Sequence, residues 1–263
     1  MAIITLLTDF GVQDEYVGVL KGVILGTNPS ATIVDISHAI GAQNISAAAH
    51  TLKASYPYFP QGTIHVAVVD PGVGTRRAII AVHSDGHLFL APDNGLLTPI
   101  VRQAKSVTIH RVDNEALFLH PVSRTFQGRD IFAPVAGHLS KGFSLDALGP
   151  VVGMDSVVLL EEIEPPLVSS GEIVGKVVAV DRFGNLITNI HAKELAALGS
   201  SQLGITAGDV TIGGLADSYA QGDPDRPIAI LGSRDCIEIA INFGNAARVL
   251  EMGVGGVVRV DRL

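Results

Sequence analysis

Residues 64–77, IHVAVVDPGVGTRR, hold the densest chemistry in this chain. Ile64, Val66, Val68 and Val69 are β-branched, and the run is too short for a buried helix, so residues 64–69 are predicted as a buried strand. The strand stops at Asp70-Pro71-Gly72-Val73-Gly74, where Pro71 withdraws an N–H and the glycines permit turns that a Cβ forbids. Asp70 is thus delivered to a sharp turn at a strand's carboxyl end, where open α/β sheets bind ligands. Arg76 and Arg77 follow closely, tethering a guanidinium beside a carboxylate. Asp-Pro-Gly is also ordinary turn chemistry, so this stretch acquires a function only through what accompanies it.

Similar polar turns recur. Thr8-Asp9-Phe10-Gly11 ends a predicted strand at 3–7, and Thr125-Phe126-Gln127-Gly128-Arg129-Asp130 precedes a predicted helix at 131–139. A helix N-terminus favours an anion or a polar ligand group. Later, Asp181-Arg182-Phe183-Gly184-Asn185 interrupts two strands, and Ser233-Arg234-Asp235 precedes Cys236-Ile237-Glu238. Tyr219 and Phe243 offer flat faces in similar loops. Clustered Asp, Asn, Arg and aromatic residues suit a nucleoside. Carboxylates bond ribose hydroxyls, an Asn amide reads adenine edges, and aromatic rings stack on the base.

Other chemistries lack their residues. Asp9-Phe10-Gly11 is not a kinase triplet, because no Gly-rich loop or strand lysine precedes it. No GxxxxGK[ST] or GxSxG occurs, and Gly72-Val73-Gly74 lacks the third glycine of a dinucleotide fingerprint. The nine histidines form no HExxH and no Cys/His pair, so no metal is expected. The net charge of −8 argues against nucleic acid as a partner. One cysteine permits no internal disulfide. No signal-peptide pattern opens the chain and no apolar run approaches ~20 residues, so the expectation is a cytoplasmic protein without a membrane partner.

The elements that must hold these turns fall into two patterns. Strands at 3–7, 32–36 and 64–69 alternate with helices at 15–26 and 45–56, which predicts an α/β domain with a mostly parallel sheet. A hairpin is expected around Ser84-Asp85-Gly86, followed by the dense turn Pro92-Asp93-Asn94-Gly95, a helix near 96–103 and a strand at 107–110. The acidic, proline-rich stretch after Leu160 marks a linker at 161–170 between domains at 1–160 and 171–263. Beyond it, short strands punctuated by Gly and Asp predict a smaller all-β, barrel-like domain.

With these residues in view, the chain resembles the SAM hydroxide adenosyltransferase (SAM hydrolase) family, relatives of the SAM-dependent fluorinase and chlorinase. The resemblance rests on TDFG at 8–11, VVDPGVGTRR at 68–77, APDNGLLT at 91–98, TFQGRDIFAP at 125–134, DRFGNLITNI at 181–190 and GSRDCIEIAIN at 232–242. It implies hydrolysis of S-adenosyl-L-methionine (SAM) to adenosine and L-methionine, by attack of water or hydroxide on the 5′ carbon. SAM is then the substrate and no cofactor is needed. It also implies a homotrimer, with sites shared between one subunit's N-terminal domain and its neighbour's C-terminal domain.

The resemblance further assigns residues. Asp9 matches the carboxylate that holds the ribose diol, and Asp70 and Arg77 match two of three residues that position the water. Asn185 and Phe183 match adenine contacts, with Tyr219 and Phe243 near the base. Asp181, Ser233 and Arg234 match residues that grip the methionine end, and Glu238 lies in a stretch that lines the nucleoside site. The third water-positioning residue is usually the histidine of FHGRD. Here it is Gln127, which cannot take a proton near neutral pH. Two alternatives remain at this level, a SAM-dependent 5′-halogenase and a non-catalytic SAM- or adenosine-binding protein. A fixed carboxylate at Asp70 opposes the first by repelling a halide.

Overall fold

A computed structural model describes residues 2–161, 163, 165–199 and 202–263. The chain divides into two compact units, 1–163 and 164–263.

The first unit contains β1 (Ile3–Thr8), α1 (Tyr16–Thr27), β2 (Thr32–Ser37), α2 (Ile45–Ser55), β3 (Ile64–Val68), β4 (Ile79–Ser84), β5 (His87–Pro92), α3 (Thr98–Gln103), β6 (Val107–Arg111) and α4 (Ala133–Ser140). Its sheet runs β2-β1-β3-β5-β4-β6. Pairing is parallel from β2 to β5 and antiparallel around β4, so the sheet is mixed. The expected mostly parallel sheet therefore holds only on the β2 side. The cause is the hairpin at Asp85-Gly86, where both residues have positive φ and turn the chain straight back.

Alternation along the central strands explains their burial. Ile4, Leu6, Val66 and Val68 pack with Leu20 and Ile24 of α1 and with Val135 and Leu139 of α4. Leu7, Ala67 and Val69 face the other way, packing with Ala48 and Leu52 of α2 and with Ile100 and Val101 of α3. Covered on both faces, β3 is buried throughout and gives Asp70 a rigid base. The helix expected at 131–139 begins earlier, with a wide π-type turn at Gly128–Phe132 that runs into α4.

The second unit contains β7 (Leu167–Val168), β8 (Glu172–Val180), β9 (Leu186–His191), α5 (Ala192–Leu198), β10 (Leu203–Ala207), β11 (Val210–Gly213), β12 (Pro227–Leu231), β13 (Cys236–Ile241), α6 (Ala246–Val249) and β14 (Val257–Arg262). The antiparallel order is β11-β10-β14-β8-β9-β13-β12, with β7 beside β8. Its inner residues, among them Ile173, Val177, Leu186, Ile205, Ile239 and Val260, form one core. A bridge between Ala216 and Ile230 ties the chain after β11 to β12, so the sheet is nearly closed. Of the expected linker, Glu162 and Glu164 lie outside the described residues, while Leu167 and Val168 pair with β8.

Candidate active site

The loop after β3 folds back on itself. The N–H of Val73 donates to the carbonyl of Asp70 at 3.2 Å, and Thr75 donates to Gly72 at 3.1 Å. Gly74 has φ +77°, and a Cβ there would collide with the Arg124 carbonyl, so only glycine fits. The fold-back returns Arg77 to Asp70. Its Nε donates to Asp70 Oδ2 at 2.8 Å, and its Nη2 donates to the same oxygen and to Gln127 Oε1. Asp70, Arg77 and Gln127, far apart in sequence, are thereby one contiguous cluster.

Two features of the cluster decide its chemistry. The Asp70 side chain is only 5% exposed, and its Oδ1 is buried without a hydrogen-bond partner. A buried carboxylate oxygen kept unpaired is costly unless a ligand uses it. Gln127 is oriented by its neighbour. A guanidinium only donates, so the amide must present Oε1 to Arg77, which leaves its Nε2 hydrogens for the adjoining cleft.

That cleft, of about 260 Å³, is lined by Asp9, Phe10, Gln43, Asp70, Phe126 and Gln127 among others. Asp9 sits directly after β1, in a turn braced from behind. His38 hydrogen-bonds Thr8 Oγ1 through Nδ1 at 2.8 Å, and its carbonyl accepts from Gly11 at 2.8 Å. Asp9 Oδ2 accepts the N–H of Gln43 at 2.7 Å. Gln43 is a site residue that the sequence reading missed. It holds φ +64°, a conformation glutamine rarely adopts, and such strain concentrates at functional sites. Phe10, Tyr16 and Phe126 meet edge to face, and the Arg129 guanidinium lies 5.4 Å from the Phe126 ring centre. Arg129 also pairs with the buried Asp130, whose Oδ2 accepts the Ser123 N–H at 2.7 Å and so fixes the 123–130 loop.

In the second unit, Asp181 organises the turn between β8 and β9. Its Oδ1 accepts the N–H groups of Phe183 at 2.8 Å and Asn185 at 2.9 Å, and its Oδ2 accepts Asn185 Nδ2 at 2.9 Å. This leaves Asn185 mostly buried, with its carbonyl oxygen outside that bond, while Phe183 stands 75% exposed. Gly184 has φ +86°, and a Cβ there would strike Asn245. Tyr219 donates to the buried Glu238 at 2.8 Å. Burial first, then that bond and the charges of Glu238 and Asp181, push the Tyr219 phenol up to about 12, so it remains a donor. Gly232 packs where a Cβ would overlap Glu238, and Ser233 and Arg234 follow in an exposed turn. Phe243, with φ +56°, is fully exposed after β13. The structure thus joins Asp181 with Asn185 and Tyr219 with Glu238. It places Phe183, Ser233, Arg234 and Phe243 on exposed turns of the same unit.

His65 and His87 serve the interior. His65 bonds Thr5 and His87 among Tyr56, Phe59 and Phe89, and burial drives it down to about 3, so it stays neutral. Among the described residues no group of three His, Cys, Asp or Glu side chains could hold a metal. Nor is any described helix long and apolar enough to cross a membrane.

A family model described as the SAM hydroxide adenosyltransferase N-terminal domain matches residues 4–149, and the corresponding C-terminal domain model matches residues 175–259. The chain belongs to the SAM hydroxide adenosyltransferase family. Within that family it is 35% identical, over 97% of both chains, to a Thermus thermophilus protein named (R)-S-adenosyl-L-methionine hydrolase. A Nocardia brasiliensis protein named fluorinase is 28% identical over 98% of this chain and 96% of its own. A crystal structure of a conserved protein from Thermotoga maritima superposes with a TM-score of 0.92 at 35% identity, covering 98% of this chain and all of that one.

Proposed function

We propose that this protein hydrolyses SAM at its 5′ carbon, giving adenosine and L-methionine. The observation that carries the reading is the buried, unpartnered Oδ1 of Asp70, fixed by Arg77 beside the amide of Gln127. A water held there donates one hydrogen to Asp70 Oδ1 and accepts one from Gln127 Nε2, which aims an oxygen lone pair into the cleft. Attack forms the C5′–O bond as the C5′–S bond breaks. The electron pair stays on sulfur, which becomes the neutral thioether of methionine. The extra proton on the new 5′ oxygen passes to Asp70 and then to solvent. A sulfonium leaves readily, so the protein's contribution is alignment and exclusion of bulk water, with no cofactor required.

Asp9 holds the ribose diol. Asn185, Phe183, Tyr219 and Phe243 receive the adenine, Glu238 lines the nucleoside side, and Asp181, Ser233 and Arg234 take the methionine amino and carboxylate groups. The N-terminal domain thus supplies the water and the ribose contact, and the C-terminal domain the rest. The assembly is a cytoplasmic homotrimer whose sites join the N-terminal domain of one subunit to the C-terminal domain of its neighbour. Exposed aromatic side chains at Phe183 and Phe243 support this, since they suit burial against a ligand or neighbour. The test is product analysis after incubation with SAM, with and without chloride. Adenosine and methionine are expected in both. A 5′-chlorinated nucleoside would make the protein a halogenase, and unchanged SAM would make it a binding protein.

A further inference from the structure

The APDNG segment at 91–95 has no part in the mechanism above, yet it holds both ends of the loop that carries Asp70 and Arg77. Strands β3 and β5 pair only from Ile64–Leu88 to Val66–Leu90. Beyond that point β5 runs into the turn Asp93-Asn94-Gly95, while the chain leaving β3 passes through the fully buried Val69. The Asn94 side chain takes over where backbone pairing stops, and its Nδ2 donates to the Val69 carbonyl at 2.9 Å. Its Oδ1 accepts the Leu96 N–H at 3.2 Å, which fixes the amide so that the donor faces Val69. At the loop's other end, the Asp93 N–H donates to the Ala78 carbonyl at 2.9 Å. Residues 93 and 94 therefore bind the immediate neighbours of Asp70 and Arg77.

The turn itself is anchored. Asp93 Oδ1 accepts the Val158 N–H at 2.9 Å, and Thr98 Oγ1 accepts that of Leu160 at 2.9 Å. Gly95 has φ +93° and packs where a Cβ would overlap Leu160.

We infer that Asn94 is a positioning residue for Asp70. By holding the carbonyl that directly precedes Asp70, it sets where the carboxylate stands against Arg77 and the attacked carbon. Asn94 touches neither water nor SAM. The inference rests on the reading of Asp70 as the group that orients the water.

The test compares Asn94→Asp and Asn94→Ala with the parent enzyme. Aspartate keeps an acceptor for Leu96 but turns a second acceptor against the Val69 carbonyl. Alanine removes both bonds. In both variants kcat should fall roughly 10- to 100-fold, the scale of a misplaced reacting group. The KM for SAM and the Kd for adenosine should stay within about threefold, because no substrate contact is lost. A parental kcat in Asn94→Asp with a reduced one in Asn94→Ala would make the residue a turn cap and overturn the proposal. A raised KM at unchanged kcat would also overturn it. If Asn94→Asp does not fold, Asn94→Ala is read by the same split, and failure of both to fold would assign Asn94 to stability alone. Parent enzyme that releases no adenosine from SAM would instead refute the hydrolase reading, a separate result.

Discussion

The turn carrying Asp70 and the turns carrying Phe183 and Phe243 are built on opposite terms. Asp70 is buried, paired with Arg77 and clamped at its backbone before any substrate arrives. Phe183 and Phe243 project into solvent. Preorganised polar groups in a dry pocket stabilise charge that develops during reaction, and they do so without reorganising. Exposed aromatic faces contribute only when something covers them, and that contribution appears as affinity. The Asp70 turn should therefore control rate, and the Phe183 and Phe243 turns binding. Mutations that separate kcat from KM test this division.

The largest effect is expected at Asp70. In Asp70→Asn the amide carbonyl turns to the Arg77 donors, so an N–H2 replaces the acceptor facing the cleft. The water then loses its proton acceptor. A fall in kcat of roughly 10²- to 10³-fold is expected, with adenosine affinity close to parental, measured by turnover assay and calorimetry. Turnover at the parental rate would remove the basis for assigning the water to this cluster.

The shared-site reading gives the next effect. Trimers of Asp70→Ala alone or of Asn185→Ala alone should be nearly inactive or bind poorly. Mixed trimers should regain activity, because some interfaces then contain two intact halves. Verified mixed trimers without recovery would place each site within one chain.

A smaller effect is expected on the binding side. Asn185→Ala removes an amide whose Nδ2 also bonds Asp181, so it loosens the turn as well as the base contact. KM should rise about 10-fold with kcat changed by less than about threefold, on the scale of one or two hydrogen bonds. A loss in kcat equal to that of Asp70→Asn would erase the distinction between the two regions.

How much of this was legible depends on whether a signal is local. The Asp70 turn was legible because a β-branched run stops at Asp-Pro-Gly. So was the Asp85-Gly86 hairpin, although its consequence was not: β4 inserts antiparallel between β5 and β6, a matter of long-range pairing. Helix α5 was missed because its N-cap is His191, outside the usual capping set, with Glu194 Oε2 accepting the His191 N–H at 2.8 Å. Strand β10 carries a weak local signal, because LGITA contains a glycine and few β-branched residues. Gln43 and Asn94 act through space on Asp9 and Val69, and nothing in their neighbouring residues announces those partners.

The smallest effect, and the sharpest comparison, concerns Gln127. In the parent its carbonyl accepts from Arg77, and on the proposed reading its amide donates to the water, so Gln127 itself adds no titrating group. Gln127→His can reproduce this arrangement only as neutral imidazole, one nitrogen accepting from Arg77 and the other donating. Protonation would set an imidazolium donor against the guanidinium. The Arg77 charge disfavours the imidazolium and the Asp70 carboxylate favours it, so the new histidine should titrate near the usual ~6.5. Activity in the variant should rise with pH through that region and reach a plateau within about threefold of the parent. Between pH ~6 and ~8 the parent kcat/KM should lack this limb. A parent profile that already shows a histidine limb would mean that another group handles the proton. The same limb in both proteins, absent only in Asp70→Asn, would keep Asp70 in the proton path but detach Gln127 from the water.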